Sequence, residues 1–364
     1  MRLLPVQLPT IQIQEYVPLA PYTTLGIGGP ARFFTRVTTP DQVVEAVLYA
    51  RTRSLPLLVL GGGSNLLISD AGFEGLVIHT ALDGPVQRVV NRGEDPANAN
   101  VVYTVPAGMD WNAFVLMAAA AGDTGVECLA GIPGLVGGSP IQNIGAYGQE
   151  VATTIISVAA LDLETLRLVH LDRDVCEFGY RRSVFNTRHR SRYVITGVDF
   201  GFDPRATPTL LYAELQRYFE GVATFPKPID IYHAVRTIRQ GKGMLLVDGD
   251  PDCRSAGSFF KNPIVSHQAV ERVANVLHVS ERAIPHWAAA NGLTKLSAAW
   301  LLEQAGFHKG FAMGRAGISS RHTLALINRG NASFADVVAL RDSIVREVES
   351  RFQITLDQEP VQVG

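Results

Sequence analysis

The stretch GVECLAGIPGLVGGSPIQNIGAYGQEV, Gly125 to Val151, decides how the rest of this chain is read. Its seven glycines and two prolines exclude an ordinary helix or a central strand. Glycine has too much backbone freedom to lose, and proline lacks the N–H that a ladder needs. Such a segment can instead bring bare backbone N–H groups against something large, flat or anionic. A second glycine-rich segment, VLGGGSNLLI from Val59 to Ile68, follows an apolar run and repeats the theme. Each loop alone reads equally as a packing turn. The pair favours two backbone cradles for a phosphate-bearing cofactor.

Outward from these loops the chain alternates strand-like and helical patterns. TTLGIGGPARFFTRV (Thr23 to Val37) ends as a strand with Phe34 and Val37 alternating against Thr35 and Arg36. A helix follows, with Thr39 as N-cap, Pro40 at its first position and Gln42 closing a capping box. Val43, Val44, Val47 and Leu48 form its apolar stripe, and Pro56 restarts the chain as the strand LPLLVL. This is a βαβ-like order, but Gly61-Gly62-Gly63-Ser64-Asn65 lacks the G-x-G-x-x-G spacing and runs into another strand, LLISD. Any cofactor is therefore held by a different fold from the nicotinamide-binding one.

Further along, NRGEDPANAN (residues 91–100) reads as a hairpin tip, and Asp110 caps a helix whose Trp111, Phe114 and Met117 read as core. SVAALDLETLRLVHL gives two strands around a turn at Asp162–Thr165, and YVITGVDFGF another. CEFGYRRSVFN, Cys176 to Asn186, breaks the pattern with Tyr180, Arg181 and Ser183 between apolar neighbours. The Pro-punctuated segment from Pro204 to Pro228 reads as a domain boundary. After it, IDIYHAVRTIRQGKG is a helix with Arg236 and Arg239 one turn apart. Thr294 is the expected cap of a helix stopped by Gly306, HTLALINRG a strand, Ser333 the start of a long helix, and ITLDQEPVQVG a last strand.

The chain has 364 residues, 47% apolar and 18% charged, the profile of a compact enzyme with room for two or three domains. A net charge of −2 argues against a nucleic-acid or anionic-membrane footprint, and no apolar run reaches the ~18–20 residues that cross a bilayer. The start, MRLLPVQLPTIQIQEY, has no signal-peptide core. Cys128, Cys176 and Cys253 sit in no ligand spacing and read as idle thiols in a reducing cytoplasm; the nine histidines suggest no metal.

Seven motifs now stand in order: TTLGIGGPARFF, LGGGSNLL, GIPGLVGGSPIQNIGAYG, FGYRRSVFN, SAGSFFKNP, WLLEQAGF and a terminal Glu-Pro. Together they resemble the UDP-N-acetylenolpyruvoylglucosamine reductases, from about Tyr22 to the C-terminus. The resemblance implies an α+β fold: a two-subdomain FAD-binding region of the vanillyl-alcohol-oxidase (PCMH) type, then a smaller α+β substrate-binding domain. The expected segments are 1–80 and 81–230 for FAD, 231–353 for substrate, and 354–364 as a strand returning to the active site. Relatives with covalent flavin carry a His in the loop matching GGGSN, and none stands there. FAD is thus expected non-covalently. Its pyrophosphate would lie on Gly61, Gly62, Gly63, Ser64 and Asn65. Its ring system would lie beside Gly131, Ile132, Pro133, Gly137, Gly138, Asn143, Gly145, Ala146, Tyr147 and Gly148.

The implied reaction is the NADPH-driven reduction of UDP-N-acetylglucosamine enolpyruvate to UDP-N-acetylmuramate, in peptidoglycan precursor synthesis. By motif match Arg181 clamps the substrate carboxylate, Ser258 gives a proton to C2, and Glu359 polarises the same carboxylate. Tyr180, Tyr212, Arg239, Lys242, Asn262 and Gln304 match substrate-holding positions. By residue type alone these would be a strand ion pair, a loop serine and solvated charges; the ordered motifs raise them above that. Three departures stand out: Arg182 where an acidic residue is usual, a longer link from Arg239 to Ser258, and DQEPV near the end. The resemblance also implies a cytoplasmic monomer. Two other readings remain open here: a flavin oxidase of the same fold, and a non-catalytic nucleotide-sugar binder.

Overall fold

The computed structural model describes residues 11–91 and 100–364. The first ten residues and most of the Asn-rich loop lie outside them. The chain packs as two compact units. The first comprises 1–17, 31–62 and 74–240; the second comprises 18–30, 63–73 and 241–364. The division cuts the GGGSN loop between Gly62 and Gly63.

In the first unit, one sheet runs in the order Gln14–Pro18, Pro30–Val37, Phe73–Thr80, Leu57–Leu60, the last two parallel. Helix Pro40–Thr52 begins where expected, with Thr39 accepting from the Gln42 N–H. Gln42, however, reaches back to the N–H and hydroxyl of Thr38, not to Thr39. The helix buries Val43 and Val47 of the expected stripe, but Leu48 is 41% exposed and Val44 half-buried, and Ala46 and Ala50 complete the buried face instead. Thr35 is buried as well, which the alternating pattern did not foresee.

The second sheet of this unit is antiparallel, in the order Arg167–Asp172, Ile155–Asp162, Tyr193–Phe202, Asn100–Pro106, Gln87–Asn91. The last pair is antiparallel and ends at Asn91 facing Asn100; the expected tip between them lies outside the described residues. Against this sheet lies helix Trp111–Ala120, capped by Asp110 accepting from Ala113 N–H. Trp111 and Phe114 are core, Phe114 stacking on Phe200 with centroids 4.5 Å apart. Burying each such ring contributes about 1.5–3 kcal/mol. Met117 points out instead, 40% exposed. The Pro-punctuated segment carries the short helix Ala213–Tyr218 and stays with this unit, as does most of helix Pro228–Gly241.

The second unit is built on helix Phe334–Phe352, whose Val337, Leu340, Ile344, Val348 and Phe352 face its core. Ser333 caps it in a reciprocal box with Asp336. Asp70, from the excursion after the GGGSN loop, accepts the N–H groups of Phe334 and Ala335 at 2.8 and 3.3 Å. That pins the excursion to a helix start with orphan donors and positive potential. Thr294 is not a cap: Thr294–Leu296 is a strand, and Ser297 caps helix Ala298–Gln304 by accepting from Trp300 N–H. Ser297 sits one residue before the first helical position, so its hydroxyl can reach back to the orphan donors. HTLALINRG is extended only at Leu326–Asn328; the residues before it form a turn. The chain closes with Val361–Val363, parallel to Leu66–Ile68.

Candidate active site

The organising stretch belongs to the first unit and folds as short 3-10 turns plus the two-residue pairing of Gly145–Ala146 with Gln149–Glu150. A Cβ on Gly62 would meet the Gly134 Cα at 2.7 Å, so the two glycine segments back directly onto each other. A Cβ on Gly137 would meet Ala107 Cβ at 2.7 Å. By contrast, a Cβ on Gly61 or Gly138 would stand with nothing within 4 Å. Some of these glycines are thus demanded by packing, while others present bare backbone to open space. That open backbone is what a diphosphate or flat ring requires, and the loops fit a flavin nucleotide.

Two acids inside the stretch hold its shape. Buried Glu127 accepts from the Thr124 hydroxyl at 2.7 Å, from Gly125 N–H at 2.6 Å and from the Gln149 amide at 2.9 Å. Glu150 accepts from the Asn143 amide at 2.8 Å. Asn143 also donates to Gly179 O at 3.0 Å and accepts from Ala152 N–H at 3.0 Å, so its amide joins the stretch to the FGYRRS segment. Asn112 adds a third tie, accepting from Gly131 N–H at 2.8 Å and from Arg236 at 3.1 Å. Sequence reasoning passed over Glu127 and Asn112. A charged residue in an otherwise apolar, glycine-rich run was a usable signal for the first.

Arg181 sits in a tight turn closed by Gly179 and Arg182, which exchange backbone hydrogen bonds at 2.9 and 3.1 Å. Its φ of +53° is left-handed, a conformation disfavoured for a side chain this large. Strain of this kind persists where surroundings over-determine it. Here Asn186 donates to Arg181 O at 3.1 Å, and the guanidinium donates to Gly145 O at 3.0 Å. Ser183 is anchored too: its hydroxyl donates to Ile141 O at 2.6 Å, making it a structural cap. Arg182 is exposed.

Tyr147 and Tyr212 meet edge to face, centroids 5.3 Å apart. Burial pushes the Tyr147 phenol up to about 12, opposed by the nearby positive charge of Arg239. Arg239 is itself buried, and that burial, with Arg236 close by, pulls its guanidinium below the usual range. The first unit therefore brings Gly145, Tyr147, Arg181, Tyr212 and Arg239 into one neighbourhood of the glycine stretch and its neighbours.

In the second unit, the segment carrying Ser258 runs between two others. On one side Phe259 N–H donates to Leu324 O at 2.8 Å, and Ser255 bridges Ile327. On the other, Glu359 N–H donates to Phe259 O at 2.8 Å and Lys261 N–H to Asp357 O at 2.9 Å. Ser258 and Glu359 are thus brought together by backbone pairing. Asn65 joins them: its amide donates to Glu359 O at 3.3 Å, and its carbonyl accepts Val361 N–H at 2.8 Å. Asn262 and Gln304 stand at opposite ends of helix Ala298–Gln304, Asn262 accepting from Ala298 N–H at 3.0 Å. Seven residues of helix hold them about 10 Å apart, so they suit different parts of an extended ligand. Lys242 lies in the turn after helix Pro228–Gly241. Elsewhere in this unit, exposed His267 stands 3.5 Å from Glu271 and 3.6 Å from Glu281, a cluster that linear spacing hid.

Two family models match the chain. Residues 31–171 match the FAD binding domain family, and residues 250–363 match the UDP-N-acetylenolpyruvoylglucosamine reductase C-terminal domain. The reductase of that name from Thermobifida fusca is 43% identical, over 98% of this chain and 99% of the relative. The chain belongs to the UDP-N-acetylenolpyruvoylglucosamine reductase family. The Streptomyces coelicolor reductase is 42% identical over 97% of this chain and 91% of its own length. The crystal structure of the reductase from Thermus caldophilus superposes with a TM-score of 0.64 at 25% identity, covering 98% of this chain and all of that one. This member of the family is accordingly an FAD-binding oxidoreductase with the α+β fold expected. Among the described residues, no helix is long and apolar enough to cross a membrane.

Proposed function

We propose that the chain reduces UDP-N-acetylglucosamine enolpyruvate to UDP-N-acetylmuramate at the expense of NADPH, as a step of peptidoglycan precursor synthesis. The observation that carries the reading is the backbone pairing of Ser258 with Glu359 through Phe259, next to an Asn65 that leads out of the glycine loop. Residues 1–80 and 81–230 act as the flavin-holding subdomains, 231–353 binds substrate, and 354–364 returns Glu359. FAD, when bound, supplies the hydride that C3 of the enolpyruvyl double bond receives. Gly61 to Asn65 would hold its pyrophosphate through main-chain N–H groups, and the glycine stretch would hold its ring system.

Negative charge then accumulates on the substrate carboxylate, and fixed donors there lower the barrier. Arg181 supplies them: a guanidinium offers paired N–H groups in carboxylate geometry. Its left-handed backbone and the bond to Gly145 O orient it in advance. Glu359 holds the polarising network in place, and Ser258 delivers the proton to C2. Arg239 assists that network, Lys242 neutralises and Tyr212 covers the diphosphate, and Tyr180 also holds the substrate; Asn262 and Gln304 contact separate parts of the nucleotide. The three cysteines are free thiols, two of them buried, which fits a reducing cytoplasm. We infer a monomer there.

The test is product analysis. Purified protein with NADPH and the enolpyruvyl sugar nucleotide yields a product heavier by a pair of hydrogens, and NADPH is consumed only when the sugar is present. Consumption of NADPH unaffected by the sugar contradicts the reading.

A further inference from the structure

Ser258 has a neighbour that the roles above leave unused. Its hydroxyl oxygen lies 3.4 Å from Nε2 of His322. The contact follows from the fold. Ser255 bridges Ile327 and Phe259 N–H bonds Leu324 O, so the serine segment runs antiparallel to the chain that leaves the His322 turn. That turn is held from several directions. Ser319 O–γ accepts the N–H groups of Arg321 and His322 at 3.0 and 3.2 Å, and Ala325 N–H donates to His322 O at 3.1 Å. Arg321 adjoins the histidine, bonding Asp252 at 3.0 Å and Asp250 at 2.5 Å. Ser320 bonds Asp252 at 2.7 Å. On the far side Thr323 donates to Glu303 at 2.6 Å. A serine hydroxyl is a weak acid, and a partner that steadies its alkoxide and returns its proton makes it usable.

We propose that His322 is the positioning residue for Ser258, orienting its hydroxyl and reprotonating its oxygen after each turnover. This rests on the reading of Ser258 as proton donor. As the Ser258 O–H bond breaks, a C–H bond forms at C2 of the substrate. The electron pair of the C2 carbanion becomes that new bond, and the alkoxide left on Ser258 takes the Nε2 proton of the imidazolium. His322, now neutral, regains a proton from water, and nothing is oxidised or reduced in this part of the cycle. The long link from Arg239 to Ser258 gains a purpose here. It carries Asp250 and Asp252, which clamp Arg321 and so fix the turn that presents the imidazole.

The experiment uses the FAD-loaded holoenzyme, reduced without oxygen and mixed rapidly with the enolpyruvyl sugar. His322→Ala is expected to slow reoxidation about 10- to 100-fold. Added imidazole should restore much of the rate. In Ser258→Ala/His322→Ala, imidazole should do nothing, and the pair should be no slower than Ser258→Ala alone. Full-speed reoxidation in His322→Ala beside a slow Ser258→Ala overturns the role of His322 and leaves the serine reading standing. A Ser258→Ala enzyme as fast as the parent overturns both. A second readout leaves the imidazole in place and needs no turnover: ring-15N spectra of the holoenzyme. Ser258→Ala should shift the His322 Nε2 signal, and an unmoved signal contradicts the contact.

Discussion

At the scale of single residues, Arg181 combines an unfavourable backbone conformation with a proposed catalytic guanidinium. Left-handed geometry costs an L-residue roughly 1–2 kcal/mol, and glycine is free of that cost. Arg181→Gly and Arg181→Ala both lose the bond to Gly145 O, so their difference isolates the strain. The glycine variant should be the more stable of the two by about 1 kcal/mol in denaturant titration, though both lose turnover. Equal stability, or a more stable alanine, contradicts it. Arg181→Lys keeps the charge but not the paired donors, and substrate reduction should fall roughly 100- to 1,000-fold. Glu127 makes the opposite case, a residue with no place in the chemistry. Glu127→Ala leaves the buried Thr124 donor and the half-buried Gly125 and Gln149 donors without their acceptor and should cost about 2–4 kcal/mol.

Elements show which glycines serve the fold and which serve the ligand. A methyl on Gly137 collides with Ala107, so Gly137→Ala should lower the melting temperature. A methyl on Gly138 meets nothing within 4 Å, so Gly138→Ala should melt like the parent yet bind FAD more weakly. Equal FAD affinity in Gly138→Ala would remove that position from the cofactor cradle. The same contrast explains what the sequence could reveal. The glycine stretch, its exclusion from helix and strand, and the Ser333 and Asp110 caps follow local rules and were legible. Met117 and Leu48 were misread because periodicity does not say where a helix's buried face ends. Thr294 was misjudged because a threonine before an apolar helix satisfies the same rule as Ser297, and tertiary pairing of Thr294–Leu296 chose between them. His322 was invisible because its segment reads as a plain strand, and its partner lies 64 positions away.

For the whole molecule, acid should weaken the fold through carboxylates held in their charged form. The Arg192 hydrogen bond holds Asp162 down at about 2. Arg321 holds Asp250 low, and for Asp252 burial is outweighed by bonds from Ser320 and Arg321. A lowered folded pKa contributes stability that is complete above the ordinary carboxylate value and disappears as pH falls toward the folded one. The stability gap between parent and Asp162→Asn should therefore be full near pH 5 and shrink as pH falls from about 4 toward 2 in urea titrations. A constant gap contradicts the assignment.

The central claim is tested most directly by one absorbance experiment on the purified protein. Kept from air and given NADPH, the yellow protein should bleach, and it should regain its colour only when UDP-N-acetylglucosamine enolpyruvate is added. Rapid recolouring by air with no response to the sugar would contradict the account and mark an oxidase on the same fold.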